Sequence, residues 1–185
     1  MKNLLLLTCL FLVGCNTNNK PAPLPVTSGV TLEEGTPFIV GKINRANLLT
    51  YEHSQWYKKE YDFFKLNQEW IAQMQPYTEG VSYQLFLGTW CEDSQREVPG
   101  MLKILDTLGV QAQGNVFYAV DEDKRTLENY EAGLNIIQIP TLILFKEGKE
   151  MNRIVEFPVE SLYKDMAKIF KNEAYQHAYY EVQNP

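Results

Sequence analysis

The 185-residue sequence has only three cysteines and two histidines, and it carries no excess of positive charge. Its formal net charge is −6, so it offers no basic surface to nucleic acid. His53 and His177 are far apart in the chain and form no metal-ligand spacing with the few cysteines. The composition therefore argues against nucleic acid as a partner, and we expect neither a metal site nor a cofactor.

The sequence also lacks an apolar run of the roughly 20 residues that a lasting transmembrane helix needs. The run Leu4–Val13 is shorter and follows an early lysine, which is typical of a signal peptide. It ends in Leu12-Val13-Gly14-Cys15, which resembles the lipobox of bacterial lipoproteins, whose cysteine is acylated. We therefore expect a signal peptide over 1–14 and a lipid on Cys15, and the alternative is an ordinary secretory signal with an incidental cysteine.

The cysteines leave one thiol in the mature chain. Cys9 is lost with the signal peptide and Cys15 is occupied by lipid, so Cys91 has no partner for an internal disulfide. In an exported protein, an unpaired cysteine suggests a reactive thiol or intermolecular pairing.

Residues 15–30 are rich in Asn, Pro, Thr and Ser, a composition that predicts a semi-extended tether rather than a site. Asn16, directly after the lipidated cysteine, resembles lipoproteins that are sorted to the outer membrane of Gram-negative cells. The expected place is thus the bacterial cell envelope, on the periplasmic side of the outer membrane, with membrane contact through the lipid anchor alone.

About 155 residues remain after the tether, enough for one domain with a hydrophobic core. The hydrophobic pattern predicts these elements in chain order: strand 37–43, helical stretch 45–74 broken near 66–67, strand 81–87, helix 92–108, strand 115–120, helix 124–133, strands 141–145 and 153–156, and helix 159–171. This order is typical of an α/β layered domain. We expect a strand and helical extension over 31–80, the main domain over 81–172 and a tail over 173–185.

Two segments of the sequence carry a family resemblance. Leu85-Phe86-Leu87-Gly88-Thr89-Trp90-Cys91-Glu92-Asp93-Ser94 is an apolar strand that opens onto a helix, and Gln138-Ile139-Pro140-Thr141 places a proline before a β-branched strand. With Pro99 inside the helix and Gly148 at the hairpin turn, they resemble the thioredoxin superfamily in a Trp-Cys-x-x-Ser variant. The resemblance implies a central mixed β-sheet flanked by helices, and a cis peptide bond before Pro140 beside the active-site sulfur.

The resemblance also implies the roles of individual residues. Cys91 is the expected nucleophile, since a helix N-terminus favours the thiolate, and Ser94 can donate a hydrogen bond to its sulfur. Trp90, Ile139 and Pro140 are the expected client-binding edge. Ser94 stands where dithiol oxidoreductases have a second cysteine, so Cys91 can attack a disulfide but cannot resolve the adduct alone.

The chain departs from thioredoxins at two further positions. Leu85 stands where they bury an aspartate that assists proton transfer, and Phe117 replaces its usual lysine partner. Two functions remain open. The first is a monothiol protein that reduces, isomerises or repairs client proteins carrying a disulfide or an oxidised cysteine, with a thiol reductant as a second partner. The other is a non-catalytic binding module that uses the cis-proline groove.

Overall fold

The computed structural model of the chain describes residues 27–28, 38–50 and 54–183. Its strands are β1 (Thr27–Ser28), β2 (Ile39–Ile43), β3 (Val81–Leu87), β4 (Gln111–Ala112), β5 (Phe117–Ala119), β6 (Thr141–Lys146) and β7 (Lys149–Val155). Its helices are α1 (Arg45–Thr50), α2 (Gln55–Phe63), α3 (Gln68–Met74), α4 (Glu92–Thr107), α5 (Leu162–Phe170) and α6 (Tyr180–Gln183). The predicted signal peptide, Cys15 and His53 lie outside the described residues. Within these ranges, no helix combines the length and the apolar character that crossing a membrane requires.

The strands form one mixed sheet around β3. The order of its strands is β1-β2-β5-β3-β6-β7, and β4 also pairs with β3. Strand β3 runs parallel to β4 and β5 and antiparallel to β6, while β6 and β7 form an antiparallel hairpin. The predicted α/β fold class, with a central mixed sheet flanked by helices, is confirmed.

Strand β3 is apolar at successive positions because both of its faces are covered. Leu85, Phe86 and Leu87 expose no surface, and successive side chains of a strand point to opposite faces. Leu85 and Leu87 join the main core together with residues of α4 and α5. Phe86 points the other way, into a smaller core that consists of Phe86, Val120, Ile139 and Ile143. The strand thereby ends at Leu87 with a core on each side.

The segment 124–133 forms a series of turns, so the predicted helix there is wrong. The N–H of Tyr130, which in a helix would donate to the backbone carbonyl of Thr126, donates instead to the side-chain hydroxyl of Thr126 at 2.8 Å. Lys124 and Asn129 also have positive φ values of 60° and 56°, outside the range of an α-helix. Such local side-chain bonds compete with helix formation, and they outweigh the weak helical spacing of the sequence.

The N-terminal extension packs on α4. Helices α2 and α3 are separate, and Asn67 caps α3 by accepting a hydrogen bond from the N–H of Trp70 at 3.1 Å. Between the two helices, the ring of Phe64 lies against Gly100 of α4. Lys103 of α4 donates to the carbonyl of Phe64 at 2.9 Å. The extension is therefore held by ring packing and by hydrogen bonds to its backbone.

The chain after α5 turns back along β7. The side-chain amide of Asn152 in β7 donates to the carbonyl of Tyr175 at 3.0 Å, and the hydroxyl of Tyr175 donates to the buried Asp165 at 3.0 Å. His177 is buried and accepts from the N–H of Tyr179 at 3.2 Å. The C-terminal segment therefore lies against the edge strand of the sheet, a kind of edge that otherwise invites pairing with other chains.

Gly100→Ala tests the docking of the extension on α4. In open space the change would stabilise the helix by about 1 kcal/mol. The added Cβ, however, would lie 2.6 Å from Cε2 of Phe64 and 3.0 Å from Cδ1 of Leu162. We therefore expect the free energy of unfolding in urea to fall by about 1–3 kcal/mol. In a Phe64→Ala background the same change should cost less, and a stabilising effect in the parent chain would contradict this packing.

Candidate functional site

Cys91 lies where β3 ends and α4 begins. Its N–H donates to the carbonyl of Gly88 at 3.1 Å, and its own carbonyl accepts from the N–H of Gln95 at 3.0 Å. The cysteine is thus the N-cap of α4, with extended backbone angles and a half-buried side chain. The free N–H groups and the dipole of the first helical turn favour a negative charge at this position.

The sulfur of Cys91 faces the loop that precedes β6. Sγ lies 3.7 Å from the carbonyl oxygen of Ile139, which accepts the thiol hydrogen. The Ile139–Pro140 peptide bond is cis, as the resemblance implies. The carbonyl of Pro140 in turn accepts from the N–H of Glu156 at 2.7 Å. The structure therefore brings the predicted nucleophile and the predicted cis-proline loop into direct contact.

The three predicted client-binding residues differ in how much of their side chains is exposed to solvent. Trp90 is half-buried, and its indole N–H donates to the carbonyl of Val120 at 3.0 Å. Its ring also makes an edge contact with Phe38 at 6.3 Å between centroids. The side chains of Ile139 and Pro140 are buried. The apolar surface beside the sulfur is thus mainly that of Trp90, whereas Ile139 presents its backbone.

Gly88 is the residue that allows this close approach. A Cβ at this position would lie 2.7 Å from Cδ1 of Ile139 and 2.9 Å from the indole of Trp90. No real Cβ contact is that short, so any side chain here would displace one of the two neighbours. The glycine therefore lets the cis-proline loop and the indole close over the end of β3.

Ser94 lies at the site in another role than the one expected. Its hydroxyl is fully buried and accepts a hydrogen bond from the N–H of Gly88 at 3.1 Å. The predicted hydrogen bond from Ser94 to the sulfur of Cys91 is absent from the described residues. The reason is geometric, because a side chain in the first turn of α4 points back towards the end of β3. Ser94 therefore fixes the turn that carries Cys91.

The structure also shows what surrounds the two departures from the family pattern. Leu85 is fully buried and Phe117 is 3% exposed, and both belong to the main apolar core. The core beneath the cysteine is thus apolar at the two positions where thioredoxins place an aspartate and a lysine. Neither position therefore supplies an ionisable side chain beneath Cys91.

The acidic first turn of α4 is partly neutralised by its own helix. The guanidinium of Arg96 forms ion pairs with Asp93 at 2.5 Å and with Glu97 at 2.8 Å. The hydrogen bonds that Arg96 donates to the carboxylates of Glu97 and Asp93 raise the pKa of Arg96. Ion pairs this exposed contribute about 0–1 kcal/mol each to stability. Their main effect is to offset the charge of Asp93, whereas no ion pair joins Glu92 within the described residues.

Glu156 and Tyr179 form a further contact at the cis-proline loop. Glu156 has a positive φ of 64°, a conformation that favours glycine, and its N–H binds Pro140. Its carboxylate accepts a hydrogen bond from the hydroxyl of Tyr179. That bond, burial and the charges of Glu156 and Asp93 raise the pKa of Tyr179 to about 12. The C-terminal segment therefore reaches the loop beside the nucleophile.

The sequence alone does not reveal the contact between Glu156 and Tyr179. The tail shows no periodic pattern, and the tyrosine follows the carboxylate by 23 residues. The ring of Phe157 packs edge-on against Tyr179 at 6.3 Å between centroids, and no sequence pattern indicates this contact either. Among the described residues, no group of three or more His, Cys, Asp or Glu side chains lies close enough together to hold a metal ion.

Comparison with known proteins found a matching family profile, similar curated sequences and a solved structure that superposes in part. A sequence profile of the family described as Thioredoxin matches residues 45–169, which include Cys91, Ile139 and Pro140. Curated thioredoxins from Staphylococcus aureus strains N315 and COL are 33% identical over 87 residues, which cover 45% of this chain and 76% of theirs. A solved structure of a protein of unknown function from Pseudomonas aeruginosa superposes with a TM-score of 0.48 at 14% identity, over 70% of this chain and 82% of that one.

Glu156→Gln is expected to lower the pKa of Tyr179 from about 12 towards the ordinary value of about 10. A neutral amide neither repels the tyrosinate nor binds the phenol as strongly as a carboxylate does. The measurement is a pH titration of ¹³C-labelled tyrosine rings by NMR, with Tyr179→Phe to assign the signal. Tyr61, whose pKa is raised to about 12 by burial and by Asp106, is the internal control. An unchanged Tyr179 titration would contradict the contact.

Proposed function

Because the chain belongs to the thioredoxin family, we propose that it exchanges thiols and disulfides with client proteins through Cys91, as a tethered protein of the bacterial envelope. Membership of the family indicates a thiol-disulfide redox role in general. The observation that carries the specific proposal is the position of Cys91. Its thiol is half-buried rather than enclosed, caps α4, and lies 3.7 Å from the carbonyl of Ile139 at the cis-proline loop.

The proposed reaction has two exchange steps. In the first, the Cys91 thiolate attacks one sulfur of a client disulfide, the client S–S bond breaks, and its electron pair leaves on the other client sulfur as a thiolate. In the second, a thiolate of the client or of a reductant partner attacks the mixed disulfide and releases the Cys91 thiolate. Attack by a client thiol gives isomerisation, and attack by the partner, followed by a second partner thiol, gives reduction.

A sulfenic acid on a client follows the same course. The Cys91 thiolate attacks the oxidised sulfur, the S–O bond breaks, and the oxygen leaves as water after taking up a proton. The resulting mixed disulfide is again resolved by a second thiol. In each case the missing cysteine at position 94 leaves the second step to another molecule, so the adduct should persist until that thiol arrives.

The neighbouring residues have distinct parts in this proposal. Trp90 supplies apolar surface for the client segment next to its sulfur, and the backbone at Ile139 and Pro140 aligns that segment. Ser94 holds the turn by accepting from Gly88, so that Cys91 keeps its place at the helix start. The Leu85 position supplies no carboxylate, which favours slow, client-assisted exchange over rapid general disulfide reduction.

The proposed place in the cell rests on the first residues of the sequence. The apolar run, the small residue Gly14 and the cysteine at position 15 support a lipid anchor, and the polar, proline-rich stretch after it supports a tether. We propose attachment by the lipid on Cys15, on the periplasmic side of the outer membrane in a Gram-negative cell. An exported, lipid-anchored thiol would meet clients whose cysteines are prone to oxidation.

A non-catalytic binding module is the second candidate. The observation that favours it is the combined loss of the second cysteine, the buried aspartate and its lysine partner, with Ser94, Leu85 and Phe117 in their places. In that case the cis-proline loop and Trp90 would bind a partner without any covalent step. The two candidates differ in one property, the reactivity of the Cys91 thiol.

The chain from Asn16 onwards has Cys91 as its one thiol, so its reaction with an aromatic disulfide reports this site alone. At neutral pH we expect it to react about ten-fold faster than a peptide of residues 88–95, because the dipole and N–H groups of α4 stabilise the attacking thiolate. The measurement is the second-order rate of release of the aromatic thiol. Cys91→Ser gives the background.

A matched variant tests whether the turn around Cys91, and not the thiol alone, contributes to the exchange rate. Ser94→Ala keeps Cys91 but leaves the buried N–H of Gly88 without an acceptor, so the exchange rate should fall towards that of the peptide. A folded parent chain that reacts no faster than the peptide, or only in denaturant, would contradict exchange chemistry and favour the binding module.

A further inference from the structure

A cleft of about 600 Å³ lies at the opposite end of the sheet from Cys91. Strand β6 starts beside the cis-proline at Thr141 and ends at Lys146, about 17 Å away by the rise of an extended strand. The cleft is formed by this end of the β6–β7 hairpin, the end of α5 and Tyr77. Its volume is within the range of ordinary small-molecule sites.

Three lysines line this cleft. Lys146 of β6 and Lys149 of β7 are directly opposite each other in the sheet register, an arrangement in which like charges are destabilising. Lys171, at the end of α5, is the third, and its ammonium lies 6.0 Å from the centre of the Tyr77 ring. Three cations therefore face one small volume in a chain of net charge −6.

The nearby carboxylates do not neutralise these lysines. Glu150 also lines the cleft, but both of its oxygens bind the guanidinium of Arg153, at 2.7 Å each. Glu147 occupies the exposed tip of the hairpin, where its N–H donates to Gly80 at 3.3 Å. In the part of the chain that the structure describes, no ion pair includes Lys146, Lys149 or Lys171.

The rest of the lining is apolar or aromatic, apart from Asn172. Phe170 is buried, and Met151 and Tyr77 also line the cleft. A bound anion would thus contact ammonium groups on one side and carbon surface on the other. Ammonium groups next to apolar surface favour a ligand that has both a multivalent anionic group and an apolar part. They are less suitable for a free inorganic ion, which has no apolar part to bury.

We propose that this cleft binds a phosphate group carried by a partly apolar molecule, with the phosphate oxygens held by Lys146, Lys149 and Lys171. Each ammonium offers three donors and a full charge, and a phosphate relieves the repulsion between the two facing lysines of the hairpin. Tyr77 and Met151 contact the apolar part. A phospholipid headgroup and a soluble phosphate monoester share this chemistry.

The test uses the whole chain with Cys15→Ser, so that no lipid can attach it to a membrane. One arm titrates it with inorganic phosphate and with phenyl phosphate, and follows backbone amide shifts by NMR. The other arm measures co-sedimentation with phosphatidylcholine vesicles, with and without phosphatidylglycerol. We expect saturable shifts at the three lysines and Tyr77, tighter binding of phenyl phosphate than of inorganic phosphate, or binding that requires phosphatidylglycerol.

Two triple variants with the same change of net charge test the role of the cleft lysines. The test variant combines Lys146→Gln, Lys149→Gln and Lys171→Gln. It should weaken binding at least about ten-fold, which is the loss expected from one charge-assisted hydrogen bond. The matched variant Lys58→Gln, Lys59→Gln and Lys65→Gln removes three exposed lysines elsewhere and should change it less than about two-fold. Thermal unfolding checks that both variants fold.

Each outcome bears on the proposal. Binding in the soluble arm identifies a phosphate monoester as the ligand class, and binding in the vesicle arm identifies a lipid headgroup. Saturation in neither arm, or an equal loss in the two triple variants, would overturn it. The result is independent of exchange chemistry at Cys91, because no residue of the cleft belongs to that site.

Discussion

The burial of β3 on both faces is the constraint on which the rest of the structure depends. Leu85 and Leu87 point into the main core and Phe86 into the smaller one, so the strand cannot slip by one residue without exchanging the two cores. This fixed register determines where the strand ends and therefore where Gly88 and Cys91 emerge at the rim. The second core contributes Ile139, the residue whose carbonyl faces the sulfur. The site is consequently positioned by apolar packing rather than by a network of charged groups.

Much of this arrangement could be predicted, because short stretches of the sequence have the residue patterns typical of a strand and of a helix start. Strand 81–87 follows from successive apolar residues, and the start of α4 follows from the turn and the polar residues after Cys91. The segment 124–133 could not be predicted in this way, because the side chain of Thr126 binds the N–H of Tyr130, a bond that a helical spacing does not reveal. The role of Ser94 in the turn could not be predicted either, because its hydroxyl accepts a hydrogen bond from the backbone N–H of Gly88 and does not bind the sulfur of Cys91.

The site combines features that usually occur separately. Cys91 is half-buried and its sulfur faces the cis-proline loop, yet the core beneath it is apolar at Leu85 and Phe117. Its ionisable groups lie instead on the outer face, with Asp93 in the first turn of α4 and Glu156 beside Pro140. The contact between Glu156 and Tyr179 was beyond prediction because it joins two segments by tertiary packing alone. The charged groups of this site therefore lie towards the solvent rather than in the core beneath the thiol.

The return of the C-terminal segment along β7 has a consequence for the order of events during synthesis. Chains emerge from the ribosome with their N-terminal parts first, so Tyr179 appears after the other residues of the site. The sheet, α4 and the cis-proline loop can assemble before it, but the contact between Tyr179 and Glu156 cannot form until then. A nascent chain that lacks Tyr179 would thus present Cys91 beside a Glu156 carboxylate without this partner. The contact that closes the site is made by the member of the site that is synthesised last.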